Sequence, residues 1–125
     1  MSEPLAAYLI CGEKWHEIDF VRVELLKLLG ETAEIRTRVA SDYSDIEAIA
    51  AADLLITYTC DVRPSDAEQE VGQGHVLYLT LGHCRGPYDM RPMIPVYPRM
   101  ERGAWEEPVF YELLRRGIRS AAASA

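Results

Sequence analysis

Three stretches of this chain place reactive side chains just beyond apolar runs. Leu5 to Cys11 gives way to Gly12 and then Glu13-Lys14-Trp15-His16. Leu54 to Thr59 ends in Cys60-Asp61. His75 to Leu81 ends in Gly82-His83-Cys84-Arg85. Imidazoles, a carboxylate and a guanidinium suit acid/base work on a polar substrate. His16, His83 and Asp61 are therefore the candidate catalytic groups. Trp15, Cys60, Cys84 and Arg85 are the candidate substrate contacts. The alternative for each residue alone is a polar side chain that satisfies nearby loop backbone.

Two sharper chemistries compete for the same residues. Gly82-His83-Cys84-Arg85-Gly86 has the form G-x-C-x-G, the cysteine analogue of a nucleophile elbow. Such an elbow must open a helix whose N-terminus lowers the thiol pKa. Pro87 and Pro92 deny a helix here, and no histidine follows Cys84 to serve as the base that triad glutamine amidotransferases place after the cysteine. A metal bound by His16, His83 and Asp61 or a cysteine has no supporting ligand spacing, so no metal or other cofactor is expected. Cys11, inside an apolar run, reads as a small core residue. Trp105 reads as a packing anchor.

These groups converge only if the apolar runs are neighbouring strands. Leu5 to Cys11 is a first strand. From Asp19, Val21, Leu25, Leu28 and Leu29 fall on one helical face, and Gly30 is placed to end that helix. Ile35, Thr37 and Val39 alternate with Glu34, Arg36 and Arg38, which predicts an edge strand with one wet face. Ser44-Asp45-Ile46-Glu47 reads as a capping box, with Ser44 as the cap. Ile46, Ile49 and Ala50 give the next helix its apolar side. Leu54 to Thr59 is a third strand, and Val76 to Leu81 a fourth, apolar on both faces. The alternation predicts a parallel sheet with right-handed crossovers and helices on both faces. The polar second strand belongs at the edge, giving the order 2-1-3 of flavodoxin-like sheets, whose ligand crevice lies beyond the carboxyl ends of the strands.

Ser65-Asp66-Ala67-Glu68 opens a helix that has almost no apolar face before Gly72. Gly86 to Gly103 is a long irregular stretch rich in proline and methionine. After Pro108, the face Val109, Phe110, Leu113, Leu114 and Ile118 marks a last helix. Arg115, Arg116 and Arg119 complement its C-terminal dipole, and the tail from Ser120 is expected to fray.

At 125 residues the chain suits one domain, 1–125. A net charge of -7 opposes a nucleic-acid or anionic-membrane partner, which would need a basic face. No apolar run approaches membrane-spanning length, and Met1-Ser2-Glu3-Pro4 lacks the basic start of a signal peptide. Three cysteines without a C-x-x-C pair fit reduced thiols, and the expectation is a cytoplasmic protein.

Tyr78-Leu79-Thr80-Leu81-Gly82-His83, then Trp105-Glu106-Glu107-Pro108-Val109-Phe110 and Leu113-Leu114-Arg115-Arg116-Gly117-Ile118-Arg119, resemble the C-terminal part of ThuA-like (trehalose-utilisation) domains. Those domains end in the same way: strand, T-L-G-H, W-x-x-P-x-F and a leucine-arginine-glycine-isoleucine helix. The start of the chain, with Gly12, Trp15 and His16, is similar to theirs as well. The resemblance implies a flavodoxin-like, class I glutamine amidotransferase-like open sheet, here shortened to about four strands. It implies action on, or binding of, a sugar derivative, with His16 and His83 as the matching histidines. The chain departs from the family between Glu70 and Gly72, where those domains continue into further strands. The shortening leaves Val76 to Leu81 thinly covered. A homo-oligomer is the expected consequence, formed near that strand or through Met90, Met93, Tyr97 and Met100.

Overall fold

A computed structural model describes residues 3–12, 17–59, 82, 84, 85, 93, 95, 96 and 101–123. Strand β1 (Leu5–Gly12) lies between β2 (Ile35–Ala40) and β3 (Leu54–Thr59) in the order β2-β1-β3, and both pairings are parallel. Helix α1 (Ile18–Leu29) connects β1 to β2, and α2 (Ile46–Ala51) connects β2 to β3. A 3-10 turn (Gly103–Glu106) leads into α3 (Pro108–Ala123). The expected α/β class, parallel pairing and edge position of β2 are all present. The expected fourth strand, the Ser65 helix and most of the Gly86 to Gly103 stretch lie outside the described residues.

The alternation of side chains along β1 divides the core in two. Ala7, Leu9 and Cys11 face α1 and α3, and pack with Val21, Leu25, Leu29, Trp105 and Phe110. Tyr8 and Ile10 face the other way, against Ile49 of α2, with Ala48 and Ala52 beside it. Leu9 and Ile10 are both fully buried, so the central strand has no wet face. Full burial of such side chains contributes about 1.5–3 kcal/mol each. The ends of β1 are fixed by backbone approach. Asp53 Oδ2 accepts from the Ala6 N–H at 2.8 Å, at the start of the β1–β3 pairing. A Cβ on Gly12 would stand 1.8 Å from the Ser41 carbonyl oxygen, so only glycine fits where the strand passes the end of β2.

Several local expectations need correction. The cap of α2 is Asp45, whose Oδ1 accepts from the Ala48 N–H at 3.0 Å. Ser44 instead donates through its hydroxyl, at 2.6 Å, and its N–H, at 3.0 Å, to Asp42 Oδ1. A carboxylate is the stronger acceptor at a helix N-terminus, and Ser44 already has one beside it. Ser44's two donors hold the Asp42 carboxyl below its ordinary range. Ile46 and Ala50 are exposed, so Ile49 with Ala48 forms the inner side of α2, and Ala52 packs beside them just past its end. Val39 is also exposed, at the far end of the edge strand.

On α3 the inner side is Phe110, Tyr111, Leu114, Ile118 and Ala121, whereas Val109 and Leu113 point outward. The helix runs on to Ala123, through the stretch expected to fray. Because the helix runs on, Arg115, Arg116 and Arg119 all fall short of its last turn and its C-terminal dipole, and Arg115 is engaged elsewhere. It forks onto Glu31, after α1, through Nε and Nη2 at 2.7 and 2.8 Å, and its Nη1 meets Glu112 at 2.7 Å. Among the described residues no helix is long and apolar enough to cross a membrane.

Candidate functional site

Beyond the carboxyl ends of β1 and β3, three pieces of chain meet: Glu17 ahead of α1, the stretch holding Gly82, Cys84 and Arg85, and the segment from Glu101 to Glu106. The Gly82 carbonyl accepts from two side chains, the Tyr58 hydroxyl of β3 and Trp105 Nε1, the latter at 3.0 Å. The Glu17 N–H donates to the Cys84 carbonyl at 3.4 Å. Arg85 and Glu101 exchange backbone hydrogen bonds of 2.6 and 2.8 Å as an isolated antiparallel bridge. The carbonyls of Gly82, Cys84 and Arg85 are thus held by different segments of the chain.

Cys84 lies beneath this junction, with no exposed surface. Its thiol is 3.7 Å from the Tyr58 hydroxyl and 4.0 Å from the Glu17 carbonyl oxygen, to which it donates. Burial pushes the thiol above its ordinary value; the polar contacts with the Tyr58 hydroxyl and the Glu17 backbone oppose this only in part. A reactive cysteine needs a lowered pKa and access to substrate. Cys84 has neither here, so its geometry is that of a core residue. Cys11 is fully buried, as expected of a core cysteine. Trp105 is the packing anchor expected. It meets the rings of Phe20, Phe110 and Tyr111 edge-on at centroid distances of 5.8, 4.9 and 5.8 Å.

An ion pair that the sequence did not reveal ties two of these pieces together. Arg102 Nη1 lies 2.5 Å from Glu17 Oε2 and its Nη2 donates to Oε1 at 3.2 Å. The guanidinium also sits over the Phe20 ring, 3.7 Å from its centroid. Tyr111 flanks the same region. Its phenol is pushed up by burial first and by the Glu24 carboxylate second. Glu17 and Arg102 are 85 positions apart, and no local pattern announces such a pair. Tyr58 could have been noticed as a polar-tipped aromatic two residues before Cys60.

Of the residues singled out from the sequence, Cys84 and Arg85 are brought to this junction. Trp15, His16, Cys60, Asp61 and His83 lie outside the described residues. Among the described residues no three His, Cys, Asp or Glu side chains form a group that could hold a metal ion. No protein-family model, no curated protein and no solved structure matches this chain.

Proposed function

We propose that the chain is a shortened ThuA-like domain that binds a sugar derivative beyond the carboxyl ends of its strands, with His16, His83 and Asp61 as the polar groups of the site. In this reading Val76 to Leu81 is a fourth parallel strand that completes a flavodoxin-like sheet. The observation that carries the proposal is the contact between two motifs in the C-terminal part of the resemblance. Trp105 and Phe110, from W-x-x-P-x-F, pack on each other, and Trp105 donates to the Gly82 carbonyl, from T-L-G-H. A Cβ on Gly82 would touch Tyr58 at 3.0 Å and Phe110 at 3.9 Å, which explains glycine in that motif. The hydrogen bond from Glu17 to Cys84 adds support, because these residues follow His16 and His83 in the sequence.

Calorimetric titration with trehalose and with glucose tests the proposal. The expected result is saturable binding of one of them, weakened by about tenfold or more in His16→Ala and in His83→Ala, the loss of one good polar contact each. Circular dichroism of each variant checks that it is folded. Absence of heat with both sugars, or binding that neither variant weakens, overturns it. The same reading includes a homo-oligomer formed near the fourth strand or the Gly86 to Gly103 loop; a monomer mass by light scattering at micromolar concentration rejects that part.

A further inference from the structure

At the amino ends of β1 and β2, away from the junction just described, the fold leaves a cavity of about 370 Å³. That volume is within the usual range of small-molecule sites, about 300–1,000 Å³. Its apolar lining is Leu5, Leu28, Ile35 and Ile118. Glu31, Glu34, Arg115 and Arg119 supply the charge around it. Two of these four neutralise each other: Arg115 grips both oxygens of Glu31, and its remaining fork reaches Glu112. The other two have no close partner among the described residues; the Glu31 carboxyl is held below its ordinary range first by its hydrogen bonds from Arg115, and Arg119 adds to this only through its field. Among the described residues neither Arg119 nor Glu34 forms an ion pair. Glu34 is held in place by its backbone, its N–H donating to Thr32 Oγ1 at 3.1 Å and its carbonyl accepting from Leu5 at 2.7 Å.

An apolar lining with one open cation and one open anion selects for a particular ligand class. A simple carboxylate would pair with Arg119 and leave Glu34 as an unopposed like charge. A simple amine would pair with Glu34 and be repelled by Arg119. A zwitterion with an apolar tail satisfies both charges and covers the lining. We propose that this cavity binds an apolar α-amino acid. Arg119 takes its carboxylate, for which a guanidinium fork is the matching donor. Glu34 takes its ammonium, and the side chain of the amino acid lies against Leu5, Leu28, Ile35 and Ile118. The site shares no residue with the proposed sugar site, so either can fail without the other.

Amide NMR titration of the whole chain with L-phenylalanine tests the proposal, with 3-phenylpropanoate and phenethylamine as analogues lacking one charge each. Saturable shifts at Leu5, Ile35 and Ile118 are expected with L-phenylalanine, and binding weaker by about tenfold or more with each analogue. Arg119→Gln and Glu34→Gln, both at exposed positions, are expected to keep the wild-type melting curve and to weaken L-phenylalanine similarly. Glu34→Gln should also erase the preference for L-phenylalanine over 3-phenylpropanoate. No saturable shift with L-phenylalanine, equal affinity for all three compounds, or shifts confined to Glu17 and Cys84 would each overturn the assignment.

Discussion

Cys84 shows how one residue can carry a reactive motif and be built for another purpose. G-x-C-x-G describes the neighbours along the chain, whereas reactivity depends on neighbours in space. Here those are Tyr58, the Glu17 backbone and the aromatic group around Trp105; the burial they impose raises the thiol's pKa, and the polar contacts with Tyr58 and Glu17 offset it only in part. The folded chain therefore favours the neutral thiol. The stability this contributes is complete below the ordinary thiol value of 9.0 and is lost as pH rises from there through the raised folded value. The urea midpoint of the native chain should accordingly fall more steeply above pH 9.0 than that of Cys84→Ala. Other thiols and phenols titrate in the same window, so the difference between the two proteins is the quantity to read. Mass spectrometry after iodoacetamide treatment below that pH gives a second check. The Cys84 peptide should remain unlabelled in the native chain and become labelled in urea. Rapid native labelling would mean that the thiol is accessible, and the nucleophile reading would regain its standing.

At the scale of the element, the helix caps separate what a linear pattern reveals from what it hides. Ser44-x-x-Glu47 satisfies the capping-box pattern, yet Asp45 caps α2, one position on. Asp45→Ala should cost about 1 kcal/mol, the usual worth of a cap, and Ser44→Ala clearly less, measured as shifts in urea midpoint. Equal losses would mean that Ser44 shares the cap. The same division runs through the other elements. All four apolar positions read on α1 (Val21, Leu25, Leu28 and Leu29) are buried, because a full-length helix on one face of a sheet obeys its period closely. On α3 the period is right but the face is rotated: Tyr111 is inside while Val109 is 65% exposed. The Trp105 ring sets that rotation by taking Phe110 and Tyr111 edge-on, and a tryptophan ahead of a helix does not specify its partner in sequence. The place of Arg115 in the sequence points to the helix dipole, but Glu31 lies within reach and offers a bidentate partner. The Glu17–Arg102 pair at the candidate site was invisible for the same reason. It depends on how α1 and the segment before α3 meet, and not on either segment alone. The sheet order was legible because it rests on composition: β1 and β3 are apolar and β2 is charged on alternate residues.

At the scale of the whole molecule, the described residues build the two faces of β1 unequally. On one side α1 and α3, with Trp105 between them, cover Ala7, Leu9 and Cys11 in the larger core. On the other, the described cover of Tyr8 and Ile10 is α2, a helix of six residues with one buried side chain, Ile49, together with the partly buried Ala40 and Tyr43. A helix so short has little stability of its own and is held by its packing alone. β3 reports the same asymmetry: Leu54 is buried toward α1, whereas Leu55, paired with Tyr8 on the α2 side, is 44% exposed. A face with few apolar contacts opens locally before the rest of the fold. Native-state hydrogen exchange should therefore find two classes of amide. The Ile49 amide, bonded to the Asp45 carbonyl at 3.0 Å, should exchange through a small opening that responds little to urea. The amides of Leu9 and Leu25 should exchange only through global unfolding, with the full urea dependence of the equilibrium transition. Ile49→Ala should lower the protection of α2 while leaving the urea slope of the Leu25 amide unchanged. If the Ile49 and Leu9 amides share one exchange free energy and one urea slope, the two faces unfold as a single unit. The small α2 core would then be as cooperative as the large one, despite its size.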